Sequence, residues 1–232
     1  MSSAKPVAII TGAGRGIGRA TAIELAKTHR VVLVSRSVSE LQETSALCGE
    51  GASVVPVDVR DPDAITAAVK RVVDEFGRVD ALVNNAGFGK LLPLVETDRQ
   101  TLDDTIAVNL AAPFQFTQAV WKPMIANGGG VVVNISSMAS RDPFQGFSAY
   151  GATKAGLNLL TLALAREGKP HNIRVHGVAP AGVETALLRT IVSQEQYPTQ
   201  HTLSPEDVAR VIVQCISGDL RHTSGETIFL QK

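Results

Sequence analysis

Short apolar runs rich in β-branched residues alternate along the chain with longer segments in which apolar residues recur at helical spacing. The short runs predict seven strands, at 7–11, 31–35, 53–57, 80–84, 131–136, 173–178 and 226–230. The longer segments predict a helix after residue 18 and further helices over 39–47, 62–76, 98–110, 112–126, 155–166 and 205–216. This alternation predicts an α/β fold, a doubly wound and mostly parallel sheet with helices on both faces.

The same pattern leaves no room for a separate substrate domain, because strands and helices follow one another throughout the chain. No repeat, linker or low-complexity segment interrupts them. We therefore expect one domain over residues 1–232. The first residues lack the apolar stretch of a secretory leader, and no run approaches the length of a membrane span.

Charge and cysteine content exclude several classes of partner. The chain has 22 basic and 22 acidic side chains, so neither nucleic acid nor an anionic membrane is expected as a partner. Cys48 and Cys215 are too few for a disulfide framework or a four-ligand zinc site, and the histidines lack ligand spacing. We expect a cytoplasmic protein without a bound metal.

A glycine-rich loop separates the first predicted strand from the first predicted helix. Such a loop lets backbone N–H groups and the positive end of the helix approach a pyrophosphate, as in a Rossmann domain. The alternative is an ordinary glycine-rich turn, but a strand before it and a helix after it favour dinucleotide binding. The candidate cofactor residues of this loop are Gly12, Gly14, Arg15, Gly16, Ile17 and Gly18.

The end of the second predicted strand bears on which dinucleotide is bound. A carboxylate there would hold a ribose 2′-hydroxyl, whereas an arginine would hold a 2′-phosphate. This strand ends in Ser35-Arg36-Ser37, without an acid. Arg36, helped by Arg15, therefore favours NADPH over NADH, although the two arginines have a second interpretation as solvated surface charges.

Polar residues also follow the third and fourth predicted strands. Asp58 and Val59 end the third, and Asn85, Ala86 and Gly87 follow the fourth. Ligands of an open parallel sheet bind beyond the carboxyl ends of its strands. These residues are thus candidates to contact the adenine and ribose.

Tyr150 and Lys154 are the candidates for proton transfer. If the segment is helical, their side chains share one face. A neighbouring ammonium would lower the phenol pKa and make Tyr150 a usable acid or base, with Ser137 holding the substrate oxygen. The alternative is a surface tyrosine beside a solvated lysine. From its position alone, Asn109 is interpreted as a capping or solvent-facing amide.

Taken together, the loop 11–18, the turn 84–87, Asn109, Ser137 and the Tyr150/Lys154 pair resemble the short-chain dehydrogenase/reductase family in order and spacing. Within the family, the sequence is most similar to the bacterial 3-oxoacyl-acyl-carrier-protein reductase type. The resemblance implies an NADPH-dependent oxidoreductase that transfers hydride between nicotinamide and a ketone or secondary alcohol, with a 3-oxoacyl thioester as one candidate. It also implies a homo-dimer or homo-tetramer, with helices 98–126 at the dimer face.

The resemblance further implies a role for each candidate. Tyr150 protonates the carbonyl oxygen and Ser137 hydrogen-bonds it, while Lys154 binds the nicotinamide ribose and lowers the pKa of Tyr150. Asn109 holds a water that links Lys154 to solvent. Residues after the sixth strand lie by the nicotinamide; these are Pro180, Val183 and Thr185.

Two departures from the family pattern affect the substrate side. Ala181 separates Pro180 from Gly182, and the lid segment between Thr185 and Ser204 is short. Apolar residues around these positions predict an apolar pocket, although part of them is expected in the core. They are Phe88, Leu91, Met138, Phe144, Phe147, Leu187, Leu188, Ile191, Val192 and Tyr197. Arg141 either attracts an anionic group or is a surface charge.

Two other functions remain open at this point. A redox sensor would bind NAD(P) without turnover, but it has no need of an acid at Tyr150. A sugar-nucleotide epimerase also uses a tyrosine and lysine at this spacing, but it has a different glycine loop and a longer C-terminal substrate domain.

Overall fold

Seven parallel strands form one sheet in the order β3-β2-β1-β4-β5-β6-β7 in the computed structural model, which describes residues 5–232. The strands are β1 (Val7–Thr11), β2 (Arg30–Ser35), β3 (Ala52–Pro56), β4 (Ala81–Asn84), β5 (Gly130–Ile135), β6 (Ile173–Pro180) and β7 (Thr227–Leu230). All seven predicted strands are confirmed. β6 runs to Pro180, beyond the predicted end at 178, because its last residue still pairs with Leu230 of β7.

Within residues 5–232, eight α-helices connect or flank the strands: α1 (Gly16–Ala26), α2 (Val38–Cys48), α3 (Pro62–Phe76), α4 (Arg99–Ile106), α5 (Ala112–Ala126), α6 (Ser148–Gly168), α7 (Ala186–Ile191) and α8 (Pro205–Ser217). The helix predicted at 155–166 begins earlier, at Ser148. Tyr150 therefore lies in its first turn. The short helix α7, which the sequence did not predict, begins where the Thr185 hydroxyl accepts a hydrogen bond from the Leu188 amide.

The two helices predicted over 98–110 and 112–126 are joined by a π-helical turn. Ala107–Ala111 is π-helical and joins α4 directly to α5. Pro113 lies just after this turn, and it has no N–H with which to continue regular α-helical hydrogen bonding. The region is one continuous helical element with a local widening, and Asn109 lies within that widening.

Two apolar layers cover the sheet. One combines side chains from α3, α5 and α6 with the sheet, and the other combines α1, α2 and α8 with its opposite face. All residues of β1 and β4 are buried, as expected for parallel strands covered on both sides. This explains their uninterrupted apolar sequences.

The strand order reverses direction between β1 and β4. The chain builds outward from β1 through β2 to β3, then returns to β4 and builds the other way. Such a reversal opens a crevice at the carboxyl ends of the strands, where ligands of doubly wound sheets bind. None of the described helices combines the length and apolar character needed to cross a bilayer.

Candidate active site

A cavity of 880 Å³ follows the carboxyl ends of the strands and continues beneath α7. Apart from Gly18 and Asn109, every candidate site residue lines it. The lining candidates are Gly12, Gly14, Arg15, Gly16, Ile17, Ser35, Arg36, Asp58, Val59, Asn85, Ala86, Gly87, Ser137, Tyr150, Lys154, Pro180, Val183 and Thr185. The fold thus brings motifs from the whole chain into one space.

The glycine loop depends on glycine for two different reasons. Gly12 and Gly16 have φ of 65° and 54°, in the left-handed region that favours glycine. Gly18 is needed for packing instead, since a Cβ on it would lie 2.2 Å from the carbonyl oxygen of Gly12. Gly18 therefore shapes the loop without lining the cavity.

The start of α1 offers donors to a ligand. No side chain caps this helix at Arg15, whereas α2, α3, α4, α7 and α8 each begin with a side-chain cap. The first N–H groups of a helix have no intrahelical partner and attract anions. Gly16 and Ile17 present this end to the cavity. The loop fits a dinucleotide pyrophosphate.

The opposite side of the loop is fixed by hydrogen bonds. The Gly14 carbonyl accepts from the Arg19 guanidinium at 2.6 and 2.9 Å and from the Thr44 hydroxyl at 3.2 Å. Asn85 donates its side-chain amide to the carbonyls of Thr11 at 2.9 Å and Gly12 at 3.2 Å. The carbonyls of Gly12 and Gly14 are thus held by protein donors. The Ala13 N–H is also engaged, since it donates to the Val34 carbonyl, so the donors for a ligand come from the start of α1.

Charged groups of both signs line the cavity where β2 and β3 end. Arg60 binds Asp58 at 2.7 Å and Asp104 at 3.0 Å. Hydrogen bonding from Arg60 lowers the pKa of Asp58, and the charge of Arg36 acts in the same direction. Arg36 is exposed and pairs with no carboxylate among residues 5–232. It remains available to an anionic ligand.

An acid does reach this end of the cavity, contrary to the impression given by the sequence at the strand end. Glu40 comes from the first turn of α2 and lies 3.5 Å from Arg15, oxygen to nitrogen. It lines the cavity beside Gly14 and Ser35. The sequence did not reveal it because the residue belongs to the helix after the strand.

Tyr150 and Lys154 share one face of α6, as predicted. Lys154 is only 3% exposed, and its Nζ donates to the Ile135 carbonyl at 2.7 Å. The same Nζ lies 5.7 Å from the centre of the Tyr150 ring. The interpretation of Lys154 as a solvated surface charge is therefore wrong.

The expected lowering of the Tyr150 pKa is not found. Burial raises the pKa of Tyr150, and hydrogen bonding to Ser137 opposes this only in part. Burial also lowers the pKa of Lys154 to about 8. Both shifts have the same cause, since desolvation penalises the charged form of each group. Tyr150 is consequently protonated at neutral pH.

Asn109 is fully buried, so its interpretation as a capping or solvent-facing amide is wrong. Its Oδ1 accepts from the Phe88 amide at 2.9 Å, and its Nδ2 donates to the Phe88 carbonyl at 2.7 Å and the Thr153 hydroxyl at 3.3 Å. Thr153 in turn donates to the Tyr150 carbonyl at 2.8 Å. Asn109 thus links the segment after β4 to the helix that carries Tyr150.

Aromatic rings lead from the cavity mouth to Tyr150. The ring centroids of Phe144 and Phe147 are 6.0 Å apart, and those of Phe147 and Tyr150 are 5.0 Å apart. Gly89 also lies against the Tyr150 ring, since a Cβ on it would be 3.0 Å from Cδ2. These contacts fix the orientation of the phenol.

The short lid closes the cavity with α7 and Tyr197. The Tyr197 ring packs on Gly182, where a Cβ would lie 2.4 Å from Cε1. Arg189 donates to Glu184 at 2.7 Å and to the Tyr197 carbonyl at 2.9 Å, which ties the two ends of the lid together. The lid is short but held in place.

Most residues of the predicted apolar pocket line the cavity, and Leu91 does not. Arg141 does not line it either, since its guanidinium lies over the Phe229 ring at 4.4 Å. Asp142, the next residue in sequence, does line the cavity. Two further charged residues that line the cavity, Arg60 and Asp104, were not predicted from the sequence because they lie outside the recognised motifs. The position of Arg60, two residues after Asp58, was a usable signal for its place in the site.

Comparison with known proteins supports a single family. A family model described as short chain dehydrogenase matches residues 6–196. The chain is 37% identical over 233 residues to carbonyl reductase [NADPH] 2 of Sus scrofa, covering 96% of this chain and 93% of the relative. It is 38% identical over 232 residues to L-xylulose reductase of Mesocricetus auratus, covering 95% and 93%.

A solved structure shows the same architecture. The 3-ketoacyl-(acyl-carrier-protein) reductase of Brucella melitensis, complexed with NADH, superposes with a TM-score of 0.93 at 30% identity, covering 99% of this chain and 98% of that one. The chain therefore belongs to the short-chain dehydrogenase family and is an oxidoreductase that acts on carbonyl or alcohol groups.

Proposed function

We propose that the protein, acting as one domain over residues 1–232, uses NADPH to reduce a neutral, apolar ketone of small or medium size to a secondary alcohol. One observation carries the proposal: Tyr150 and the buried Lys154 share a cavity with a glycine loop whose helix lacks a side-chain cap. The first feature supplies proton chemistry and the second a pyrophosphate site.

NADPH, when bound, supplies the hydride. The Tyr150 hydroxyl donates its proton to the carbonyl oxygen, and its raised pKa keeps that proton in place at neutral pH. Ser137 hydrogen-bonds the same oxygen, where negative charge develops. Lys154 holds the nicotinamide ribose hydroxyls, and α7 excludes water from the reacting atoms.

The remaining candidates bind the cofactor. The pyrophosphate loop is formed by Gly12, Gly14, Gly16, Ile17 and the packing residue Gly18. The adenine is contacted by Asp58 and Val59. Asn85, Ala86 and Gly87 lie by the ribose, and Pro180, Val183 and Thr185 lie by the carboxamide.

Asn109 acts as a positioning residue through its bonds to Phe88 and Thr153. The relay water implied by the family resemblance would use the second acceptor position of Oδ1. That water stays a prediction.

The substrate end of the cavity favours a neutral, apolar molecule. Leu187, Leu188 and Ile191 line it together with Phe144 and Phe147. Asp142 also lines the cavity and disfavours anionic substrates, because its carboxylate repels a negative charge. A 3-oxoacyl thioester remains a candidate substrate because its acyl chain is apolar.

The direct test of this function is a titration of the purified protein with NADPH and NADH, followed by a ketone panel. We expect both reduced cofactors to bind, NADPH more tightly, and NADPH oxidation to depend on an apolar ketone. Binding without turnover on every ketone would contradict the proposal, and binding of neither cofactor would remove every role assigned above.

Arg36 is the basis for expecting NADPH. It is exposed and free of ion pairs within the described chain, and it lines the cavity where the second strand ends. We expect Arg36→Ala to weaken NADPH binding by roughly 10-fold, since a charge-assisted contact to phosphate is lost. NADH binding should change less than about 2-fold. An equal loss of affinity for the two cofactors would show that Arg36 does not bind the 2′-phosphate.

We also propose a homo-dimer, or a homo-tetramer built from it, through the α4 and α5 face. Ile106 and Phe114 are 40% and 47% exposed there, and they border an apolar groove with Leu110 and Leu160. Exposed apolar patches of this kind mark interaction surfaces. Light scattering should give at least twice the chain mass of 24.5 kDa; the mass of a single chain at all concentrations would contradict the proposal.

The cytoplasmic location stays a prediction.

A further inference from the structure

We propose that Glu40 limits the preference for NADPH by placing a carboxylate where the 2′-phosphate binds, so that the enzyme also accepts NADH. This inference rests on the proposed function, because it concerns the same cofactor site. It assigns a specificity role to a residue of α2, outside the recognised motifs.

Glu40, Gly14 and Ser35 form a notch at the carboxyl end of β2. A Cβ on Gly14 would lie 2.9 Å from Glu40 Oε2 and 3.4 Å from Ser35 Oγ, so both oxygens converge on one point. All three residues line the cavity. In a doubly wound sheet, the end of this strand meets the adenosine ribose. The notch is therefore beside the ribose 2′ position.

Ser35 adds a second, independent observation. Its Oγ is buried and finds no hydrogen-bond partner among the described residues. Buried hydroxyls are normally satisfied. A ligand hydroxyl held between Ser35 and Glu40 would satisfy it, and the carboxylate would accept from that hydroxyl.

The alternative role for Glu40 would be to position Arg15 for the phosphate. Their closest approach is 3.5 Å, and the side chains are 34% and 64% exposed, respectively. An exposed pair at this distance contributes little. Glu40, by contrast, places its Oε2 beside Gly14, since a Cβ on Gly14 would lie 2.9 Å from it. The carboxylate is therefore positioned to act on a ligand in the notch directly.

Charge decides the direction of the effect. A 2′-phosphate carries roughly −1.5 to −2 charges at neutral pH, and a carboxylate in the same notch repels it. A 2′-hydroxyl is neutral and can donate to that carboxylate. Glu40 therefore opposes Arg36 and brings the affinities for NADPH and NADH closer together.

The test is the dissociation constant of each cofactor, measured by calorimetry for Glu40→Gln. We expect the ratio of the NADH to the NADPH dissociation constant to rise by roughly 5-fold or more, mainly through tighter NADPH binding. The gain should shrink at high salt, since screening weakens the repulsion. Glutamine keeps the shape of the side chain, and an unchanged melting temperature would show that α2 is intact.

Glu43→Gln is the matched control, because Glu43 lies one turn away on α2, pairs with Arg19 at 2.8 Å and does not line the cavity. It removes the same charge and should leave the ratio unchanged. An unchanged or lower ratio in Glu40→Gln would overturn the inference while leaving the proposed function intact. Failure of the unaltered protein to bind either cofactor would overturn both.

Discussion

Replacing Tyr150 with phenylalanine is expected to lower kcat for ketone reduction by about 10²-fold or more, the usual loss when a general acid is removed. The ring should stay in place, because Phe147 and Gly89 both pack against it. Only the proton donor is lost. The dissociation constant for NADPH should therefore change less than about 2-fold. Stopped-flow or steady-state absorbance of NADPH, together with calorimetry, measures the two quantities separately.

Tyr197→Phe provides the control for the loss of a phenol hydroxyl. Tyr197 is the other tyrosine of the chain, and its hydroxyl donates to the His201 carbonyl at 3.2 Å within the lid. We expect its kcat to stay within roughly 3-fold of the unaltered protein, since one exposed hydrogen bond is lost. If Tyr150→Phe retained a comparable kcat, Tyr150 would not be the proton donor.

Replacing Gly18 with alanine should damage both stability and cofactor binding. The new Cβ would lie 2.2 Å from the Gly12 carbonyl oxygen and 2.6 Å from Asn85 Nδ2. Neither neighbour can move freely, because Asn85 also holds the carbonyl of Thr11. Overpacking of this kind costs about 1 to 3 kcal/mol, which lowers Tm by roughly 2 to 10 °C in a chain of this size. NADPH binding should weaken by about 10-fold or more, since the displaced loop no longer presents its N–H groups.

Gly156→Ala is the matched control for that change. Gly156 lies inside α6, and its new Cβ would meet only Leu110, at an ordinary contact distance of 3.4 Å. Alanine in place of a helical glycine stabilises a protein by about 0.5 to 1 kcal/mol. Thermal unfolding should thus shift in opposite directions for the two variants. An unaltered Tm and NADPH affinity in Gly18→Ala would contradict this prediction and show that the loop can shift to accommodate the new Cβ.

The sequence by itself determined the fold and most of the residues that line the candidate site. Strands buried on both faces need uninterrupted apolar runs, and those runs predicted all seven strands of the sheet. The glycine loop and the spacing of Tyr150 and Lys154 are local features, because positive φ values and a shared helix face depend on neighbouring residues alone. Parallel topology then brings the strand ends, and the residues after them, to one edge.

Only the tertiary structure decided the environment of these residues. Glu40 reaches Gly14 from another helix, and Asn109 is buried against Phe88 and Thr153, which are distant in sequence. The pKa of Tyr150 is raised rather than lowered, because burial outweighs its hydrogen bond to Ser137. Desolvation and long-range contacts depend on how the elements pack together. The spacing of residues along the chain identifies the reacting groups, but packing sets their charge and their partners.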